Sequence, residues 1–437
     1  RLAMSMKLRW GRGEPIIFAV CSVALLGAFL LSTCAAFHHF FFPSTELLKR
    51  EEVIRIVVLT YGLAFAIIAC VSFARLRRRG RTLMEQVTRS ICEEVHSLRH
   101  WIAGSANLDG LAAWVVAVTG IGLALRTYFL GQPMRYDESF TFVNFASRGL
   151  PHLFNYPVPN NHVLHTLLVR VSVAFFGANP VAIRLPAFLA GICTILSSFI
   201  FARIVLQGRG GYATAAVASV FPFLVLFDTM ARGYSLVVMF GLLLAILALR
   251  YTSHPSTALC FLMSLATALG IFTMPSFVFP AAGLGLWVVS TMLVGRVGVR
   301  LAMPRFVLQF GAMTAILALF FYTPVILLNN GFGTLLNNRF VVSEPFPVFF
   351  AMFPTHVSDT FSRFVRDVPF PLLGTMLLLI GTGFWFCGKN KNWNAALLLP
   401  CLIFGAALPL VIQHRIPFAR TWIFALPFLF VLIDAGA

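Results

Sequence analysis

The amino-acid sequence predicts an all-α polytopic membrane protein with about 12 transmembrane helices. Of the 437 residues, 59% are hydrophobic and only 11% are charged, and the mean hydropathy is +0.88. Soluble globular domains carry about 25% charged residues, so this composition excludes an ordinary soluble protein. The apolar residues fall in long runs, and in lipid such a run must be helical to satisfy its own backbone hydrogen bonds.

Twelve apolar segments are long enough to cross a hydrocarbon core of about 30 Å, which needs roughly 20 residues of helix. In chain order they cover residues 16–36, 53–74, 109–130, 185–206, 211–228, 232–250, 256–273, 275–294, 305–328, 369–387, 394–413 and 418–437. Two longer stretches between them, 131–184 and 329–368, are not clearly spanning. Within the first of these, segment 163–177 is short and carries Arg170 in its middle, so we expect an interfacial or re-entrant helix there.

The distribution of Lys and Arg predicts the orientation in an inner (plasma) membrane. If residues 1–15 are cytosolic and the spans alternate, the cytosolic loops hold more basic residues than the outer loops, and the run from Arg75 to Arg81 anchors this assignment. The stretches 131–184 and 329–368 then become exoplasmic loops. The formal net charge of +18 does not indicate a nucleic-acid partner, because the basic residues lie in short runs between apolar segments.

The stretch 82–104 predicts an amphipathic helix on the cytoplasmic surface. Its apolar positions, among them Met84, Val87, Ile91 and Val95, repeat at the spacing of one helical face. With the first two spans it forms a predicted N-terminal extension, residues 1–108, ahead of a second unit, residues 109–437. The eight cysteines form no CxxC pair, so the sequence supports neither a disulfide framework nor a metal site built from them.

The stretch RYDESFTF places Asp137 and Glu138 side by side at the start of the first exoplasmic loop, although the whole chain has only 15 acids. Adjacent acids at a membrane boundary cost free energy through repulsion and desolvation. Two interpretations are open. The pair caps a helix or pairs with Arg135, or it performs acid–base chemistry at the exoplasmic face. A divalent cation near the two carboxylates stays open as a cofactor.

Further candidate residues fall on the same predicted side of the membrane. In the stretch NNHVLH, His162 and His165 are three residues apart, which would place them on one helical face, but as metal ligands they are a weak signal. Arg232 and Tyr234 in ARGYSL, and Arg420 near the C-terminus, lie at the outer ends of other spans. The guanidinium group of arginine presents several donors that fit phosphate oxygens, so these arginines predict an anionic ligand. The alternative is that they extend from helix ends toward the aqueous surface of the membrane.

Taken in order, the stretches YDESFTF, NNHVLHTLLVR, AIRLPAFLAG, ARGYSL, FTMPS and FARTWIFALPFLF resemble those of bacterial glycosyltransferases of the GT-C fold. These enzymes are related to the protein O-mannosyltransferases and to the aminoarabinose transferase of lipid A. The resemblance covers residues 109–437. It implies a GT-C-like fold with interfacial helices in the first large exoplasmic loop. It also implies transfer of a sugar from a polyprenyl-phosphate carrier to a glycan, lipid or protein acceptor at the exoplasmic (periplasmic) face.

The resemblance implies roles for the candidate residues as well. Asp137 resembles the general base that deprotonates the acceptor hydroxyl, and Glu138 would orient the acceptor or assist a cation. Arg232, with Arg420 as second choice, would hold the lipid phosphate as it leaves. The remaining substrate-binding candidates are His162, His165 and Tyr234. No nucleotide takes part in such a reaction, and the sequence has neither a P-loop nor a Rossmann fingerprint.

Two other classes of function stay open at this point. One is a flippase or transporter for a lipid-linked sugar, and the other is a non-catalytic subunit of a membrane complex. Transporter coupling sites usually place ionisable residues in mid-span, whereas the predicted spans carry Arg126 near an edge and show no inverted repeat. A non-catalytic subunit would tolerate loss of Asp137, and an enzyme would not.

Overall fold

The structure is a computed structural model that describes residues 83–106, 111–157, 159–295, 297–329, 331, 333–336 and 341–437. Every regular element in these residues is a helix, which confirms the all-α prediction. The α-helices are α1 (Leu83–Ala106), α2 (Ala112–Leu130), α3 (Tyr136–Thr141), α4 (Leu150–Leu153), α5 (Val163–Phe176), α6 (Pro180–Val205), α7 (Tyr212–Val220), α8 (Pro222–Asp228), α9 (Tyr234–Ser253), α10 (Thr257–Thr273), α11 (Val278–Val294), α12 (Val297–Leu328), α13 (Gly333–Leu336), α14 (Phe346–Val365), α15 (Phe370–Lys389), α16 (Trp393–Ala396), α17 (Leu398–Gln413) and α18 (Leu426–Gly436). A π-helical turn covers Phe142–Ala146, and 3₁₀ helices cover Pro275–Phe277 and Ala419–Ala425.

Eight helices in the described part of the chain are long and apolar enough to cross a membrane. They are Ala112–Leu130, Pro180–Val205, Tyr234–Ser253, Pro275–Val294, Arg300–Leu328, Phe370–Lys389, Trp393–Gln413 and Ala419–Gly436. Each coincides with a predicted segment.

The other four predicted spans differ from these eight. Segment 211–228 is divided into α7 and α8, because Pro222 forces Phe221 into an extended conformation. Segment 256–273 corresponds to α10, which has 17 residues. Segments 16–36 and 53–74 lie outside the described residues. The expected count of 12 spans therefore stays a prediction.

The bundle packs around α9, most of which is buried. Helix α9 contacts α6 and α10, α10 packs on α12, and α11 packs on α17. Glycines allow the closest approach, since a Cβ on Gly405 of α17 would lie 2.5 Å from the Cα of Gly283 on α11. Small residues are usual at such contacts, because in lipid the association of helices depends on close van der Waals packing.

Helix α1 confirms the helix predicted at residues 82–104. It packs against α6 and α10. The Arg250 guanidinium at the end of α9 donates to Ser97 Oγ at 2.9 Å, and Ser256 Oγ donates to the Glu94 carboxylate at 2.9 Å. Helix α1 is therefore attached to the end of α9 that is remote from Tyr234. Its position on the cytoplasmic surface stays a prediction.

The two long stretches that were not expected to span contain helices of other kinds. Helix α5 has 14 residues, which at 1.5 Å per residue is about 21 Å and too short to cross the hydrocarbon core. Helix α14 carries a row of exposed apolar side chains that includes Phe346, Phe350 and Phe361. The irregular segments around α3, α5 and the 3₁₀ helices meet at one end of the bundle, where they surround a cavity.

Candidate active site

The cavity has a volume of about 1020 Å³, which is at the upper end of the range for small-molecule sites. It is bordered by α3, the loop that precedes α5, the start of α9 and the first part of the 3₁₀ helix Ala419–Ala425. Five of the seven predicted site residues line it: Asp137, His162, Arg232, Tyr234 and Arg420. The other two, Glu138 and His165, are buried in the surrounding structure.

Glu138 is fully buried beside Arg184, and four donors surround its carboxylate. Oε1 accepts from Arg184 Nε at 2.8 Å and from the Ala231 N–H at 2.7 Å, while Oε2 accepts from Arg184 Nη2 and the Arg135 N–H at 2.7 and 2.8 Å. Burial raises the pKa of Glu138, but these hydrogen bonds and the charge of Arg184 outweigh it, so the pKa lies below its ordinary value. The geometry gives no support to the expected role of Glu138 in orienting an acceptor or assisting a cation.

Arg184 reaches this pair from the beginning of α6. Its Nη1 also donates to the carbonyls of Leu130 and Gln132 at 2.8 and 2.6 Å, and its Nη2 donates to the carbonyl of Pro133 at 3.1 Å. The Arg184–Glu138 pair thus joins the end of α2 and the start of α3 to α6 and to the turn at Ala231. A buried pair with such complete hydrogen bonding holds these segments in one arrangement.

Asp137 points away from its neighbour, because successive helical residues are rotated by about 100°. It is half-buried and lines the cavity. Thr141 Oγ1 donates to its backbone carbonyl at 2.8 Å, but within the described residues its carboxylate takes part in no hydrogen bond or ion pair. A carboxylate in this state can accept a proton from a hydroxyl bound in the cavity.

Arg232 lines the cavity, but most of its donors are already used. Its Nη1 donates to Thr141 Oγ1 and to the Asn160 carbonyl, both at 3.1 Å, and its Nη2 donates to Asn160 Oδ1 at 2.8 Å. Nε is buried and has no partner among the described residues. Arg232 therefore connects α3 to the loop before α5, and little of its guanidinium is left for a ligand.

Arg420 enters the cavity from the 3₁₀ helix Ala419–Ala425. Its guanidinium carbon lies 4.7 Å from the ring centre of Phe418 and 5.8 Å from that of Tyr234. No acceptor in the described part of the chain bonds to this guanidinium. A guanidinium that rests on aromatic rings keeps its donor edges for a phosphate. The geometry favours Arg420 over Arg232 as the phosphate ligand, which reverses the order expected from the sequence.

His162 and His165 do not share a helical face, contrary to the expectation from their spacing. His162 precedes α5 with φ −84° and ψ 85°, outside the helical region. Its Nδ1 accepts from the Gly233 N–H at 2.8 Å, so in the neutral ring Nε2 carries the proton. Burial lowers the pKa of His162 well below its usual value, and the positive charges of Arg232 and Arg420 lower it further. His162 is therefore a neutral donor at pH 7.

His165 lies in the first turn of α5 and is buried. Burial and the charge of Arg232 lower its pKa to about 3, although Glu138 opposes this shift. Neither ring nitrogen has a hydrogen-bond partner among the described residues. Because His165 does not line the cavity, the geometry gives no support to its expected role in substrate binding.

Two residues that hold the site together were missed in the sequence, Asn160 and Arg184. Arg184 had a signal, because an arginine inside the apolar stretch AIRLPAFLAG needs a buried partner. That partner is Glu138, 46 residues earlier in the chain. Asn160 had only the turn signal of two asparagines after two prolines, which indicates a loop and no more.

A divalent cation does not suit this arrangement. The described residues include no group of three or more His, Cys, Asp or Glu side chains placed to hold a metal ion. Asp137 is the acidic residue among the described residues that line the cavity, and the arginines Arg232 and Arg420 line it too. Their positive charge would repel a cation.

Comparison with known proteins gives a similarity of fold. No protein-family model and no curated protein matches the chain. The crystal structure of ArnT from Cupriavidus metallidurans bound to undecaprenyl phosphate aligns with a TM-score of 0.52 and 16% sequence identity over 74% of this chain. The structure of the same protein in the apo state aligns with a TM-score of 0.53 and 16% identity over 75% of this chain. The chain spans 60% of the length of each ArnT chain.

At this identity the comparison concerns the fold, and the helices agree with it. In the part of the chain that the structure describes, eight apolar helices of spanning length enclose a core built around α9. The alignment with the ArnT structures extends over about three quarters of the chain. The chain is therefore a multi-pass, all-helical membrane protein with the GT-C fold of the ArnT structures.

Proposed function

We propose that the chain is an integral membrane glycosyltransferase. It moves a sugar from a polyprenyl-phosphate carrier to an acceptor glycan, lipid or protein at the exoplasmic face of the inner (plasma) membrane. The observation that carries this proposal is the Asp137 carboxylate, which has no partner among the described residues and shares its cavity with Arg420. The fold supports it, since one ArnT structure of this fold holds undecaprenyl phosphate.

Asp137 is the general base of the proposed reaction. The acceptor hydroxyl binds beside its carboxylate, which takes the proton as the hydroxyl oxygen attacks the anomeric carbon. The bond from that carbon to the phosphate oxygen breaks, and its electron pair leaves with the polyprenyl phosphate. A positioned general base typically accelerates such a step by about 10²- to 10⁴-fold.

Arg420 stabilises the leaving group. The departing phosphate gains negative charge as the bond breaks, and a guanidinium that is already in place stabilises this charge without reorganising. His162 Nε2, a neutral N–H that lies 3.4 Å from Arg232 Nη2, adds a donor on the same wall of the cavity. Tyr234 contributes by supporting Arg420 with its ring.

Glu138 acts by positioning, without touching substrate. Its carboxylate binds the backbone N–H of Arg135 on one side of the site and that of Ala231 on the other. Asp137 follows the first contact by two residues, and Arg232 follows the second directly. The buried pair with Arg184 therefore sets the distance between the proposed base and the arginine wall of the cavity.

The positive-inside pattern supports the exoplasmic location of the site. The cavity lies at the Tyr234 end of α9, and α1 is attached at the Arg250 end, 16 residues or about 24 Å away. The basic run from Arg75 to Arg81 immediately precedes α1. A cytosolic run there would place the cavity on the opposite side of the membrane.

The test is transfer from a panel of polyprenyl-phosphate sugars by purified protein, with membrane extract as the source of acceptors. We expect transfer by the wild type and a loss of at least about 100-fold in Asp137→Asn, with donor binding retained. Asp367→Asn is the matched control, because Asp367 is exposed and lies outside the cavity lining. An unchanged rate in Asp137→Asn would remove Asp137 from the base role. Donor binding without transfer by the wild type would favour a flippase or a non-catalytic subunit.

A further inference from the structure

The position of Arg420 depends on the 3₁₀ helix Ala419–Ala425 that carries it. Its guanidinium rests on the rings of Phe418 and Tyr234, and no acceptor in the described part of the chain bonds to it. A cation above a ring is attracted from a range of positions, so these contacts direct the guanidinium less closely than a hydrogen bond would. The side chains that hold the backbone of the 3₁₀ helix therefore decide where this charge lies.

Trp422 holds this 3₁₀ helix two residues after Arg420. Its indole Nε1 donates to His356 Nε2 of α14 at 2.8 Å. The Trp422 ring centre also lies 5.2 Å from that of Phe279, which belongs to α11 and lines the cavity. Trp422 is thus held from two sides, by α14 through its N–H and by α11 through its ring.

His356 is in the state that this hydrogen bond requires. Partial burial lowers the pKa of His356 below its ordinary value, although Asp359 opposes this shift. The ring is therefore neutral at pH 7, and because Nε2 accepts from Trp422, its one proton is on Nδ1. A protonated ring has no acceptor and could not make this contact.

Helix α14 is also attached to the beginning of the same cavity-lining segment. The N–H of Glu344, two residues before α14, donates to the His414 carbonyl at 2.9 Å. Together with the contact between His356 and Trp422, this bond fixes α14 against both ends of residues 414–422. Side chains that touch a substrate keep their geometry only when such outer contacts support them.

We propose, building on the proposed function, that His356 is a positioning residue for Arg420 and acts through Trp422. Neither His356 nor Trp422 lines the cavity, so neither touches substrate. Without their hydrogen bond the 3₁₀ helix is free to shift, and a displacement of about 1 Å in a reacting site can cost about 100-fold in rate. Because the contact of Arg420 with the phosphate strengthens as the bond breaks, the loss falls on kcat more than on KM.

The experiment measures transfer by the full-length protein, with the polyprenyl-phosphate sugar that the wild type uses best as donor. Trp422→Phe keeps a ring and removes the N–H, and His356→Phe keeps a ring and removes the acceptor. Each should lower kcat at least about fivefold, the scale of one lost hydrogen bond, and change KM less than about twofold. His356→Gln should retain at least about half of the wild-type kcat, because its amide oxygen can accept in place of Nε2.

A matched control separates positioning from stability. Trp287 Nε1 donates to the Asn394 carbonyl at the same distance of 2.8 Å, and neither residue lines the cavity. Trp287→Phe should therefore lower the melting temperature and leave kcat unchanged. A double-mutant cycle adds the second control. In an Arg420→Gln background, Trp422→Phe should change kcat less than about twofold, because the group through which it acts is gone.

The outcomes separate the two proposals. If the wild type transfers no donor, the proposed function fails and this inference falls with it. If the wild type transfers and Trp422→Phe keeps its kcat, the function stands and the inference is overturned. A loss in Trp422→Phe that is as large in the Arg420→Gln background would also overturn it, because Trp422 would then act on another group. Equal losses in His356→Gln and His356→Phe would overturn it too, because the ring and not the acceptor would then matter.

Discussion

The adjacent acids Asp137 and Glu138 should give opposite phenotypes when each is replaced by its amide. Glu138→Gln should unfold the protein readily, because the new amide nitrogen meets donors where an acceptor is needed. Arg184, 1% exposed, would lose the charge that balances it. Asp137→Asn should leave stability nearly unchanged and remove transfer, because its carboxylate has no partner among the described residues.

The size of the stability loss in Glu138→Gln follows from the four contacts of the carboxylate. Removing one partner of a buried ion pair costs about 3–5 kcal/mol. With an unfolding entropy of about 2.1 cal/mol/K per residue, 1 kcal/mol moves the melting temperature of a chain of 437 residues by about 1 °C, so the loss should be about 3–5 °C. Asp137→Asn, a change at a residue with no structural contact through its carboxylate, should stay within about 0.5 kcal/mol of wild type.

The assay is thermal unfolding of purified protein in detergent at one fixed scan rate, since membrane proteins often unfold irreversibly. Glu344→Gln is the matched control, the same chemical change at a half-exposed acid. A double variant, Glu138→Met with Arg184→Met, should be less destabilised than the sum of the two single changes, because it removes the pair without leaving a buried charge.

Two results would refute this reasoning. If Glu138→Gln melts within about 1 °C of wild type, the carboxylate is not held by Arg184 in the way described, since the loss of the buried pair should move the midpoint by about three times as much. If Asp137→Asn is as unstable as Glu138→Gln, Asp137 is also a structural residue, and its loss of activity would no longer identify a base.

Three further predictions concern the anion site, the buried histidines and the helix packing. Arg420→Gln should weaken polyprenyl-phosphate binding, measured by calorimetric titration, by at least about tenfold, as expected for loss of charged hydrogen bonds. Arg232→Gln should mainly lower the melting temperature and change binding less. If Arg232→Gln weakens binding more than Arg420→Gln does, Arg232 holds the phosphate. Because the pKa values of His162 and His165 are lowered in the folded protein, the unfolded chain binds protons first as the pH falls. Stability that is present above about pH 6.5 should therefore be lost as the pH falls toward about 3. In His165→Leu the melting temperature should change less between pH 7 and pH 4.5 than in wild type, and an equal change would contradict this. Gly405→Leu should destabilise the protein by at least about 1–3 kcal/mol through overpacking at the contact with α11, and a variant that melts like wild type would show that this contact is looser than described.

The helices were predictable from the sequence because they depend on local properties. A run of about 20 apolar residues is helical in lipid wherever it lies in the chain, so the eight spanning helices coincide with predicted segments. The prediction of one continuous helix was wrong where a single residue interrupts an apolar run, as at Pro222, which separates α7 from α8. The spacing of His162 and His165 predicted a shared face, but the helix begins only after His162.

The composition of the site was also accessible from the sequence, because polar residues in a chain that is 11% charged are few. Asp137, His162 and Arg420 were found in this way and line one cavity. The separate roles of these residues could not be predicted from the sequence. Arg232 and Arg420 have similar surroundings in the sequence. Only the tertiary structure shows that Arg232 donates hydrogen bonds to Asn160, in the loop before α5.

The clearest case is the acid pair. A local reading allows either carboxylate to be the base, because Asp137 and Glu138 have the same neighbours in the chain. The choice is made by Arg184 and by the Ala231 N–H, which are 46 and 93 residues from Glu138. These contacts form only when α6 and the turn before α9 pack against α3. Because Glu138 is then buried, its charge must be paired, since an unpaired charge there would cost several kcal/mol. The rotation of about 100° between successive helical residues leaves Asp137 facing the cavity.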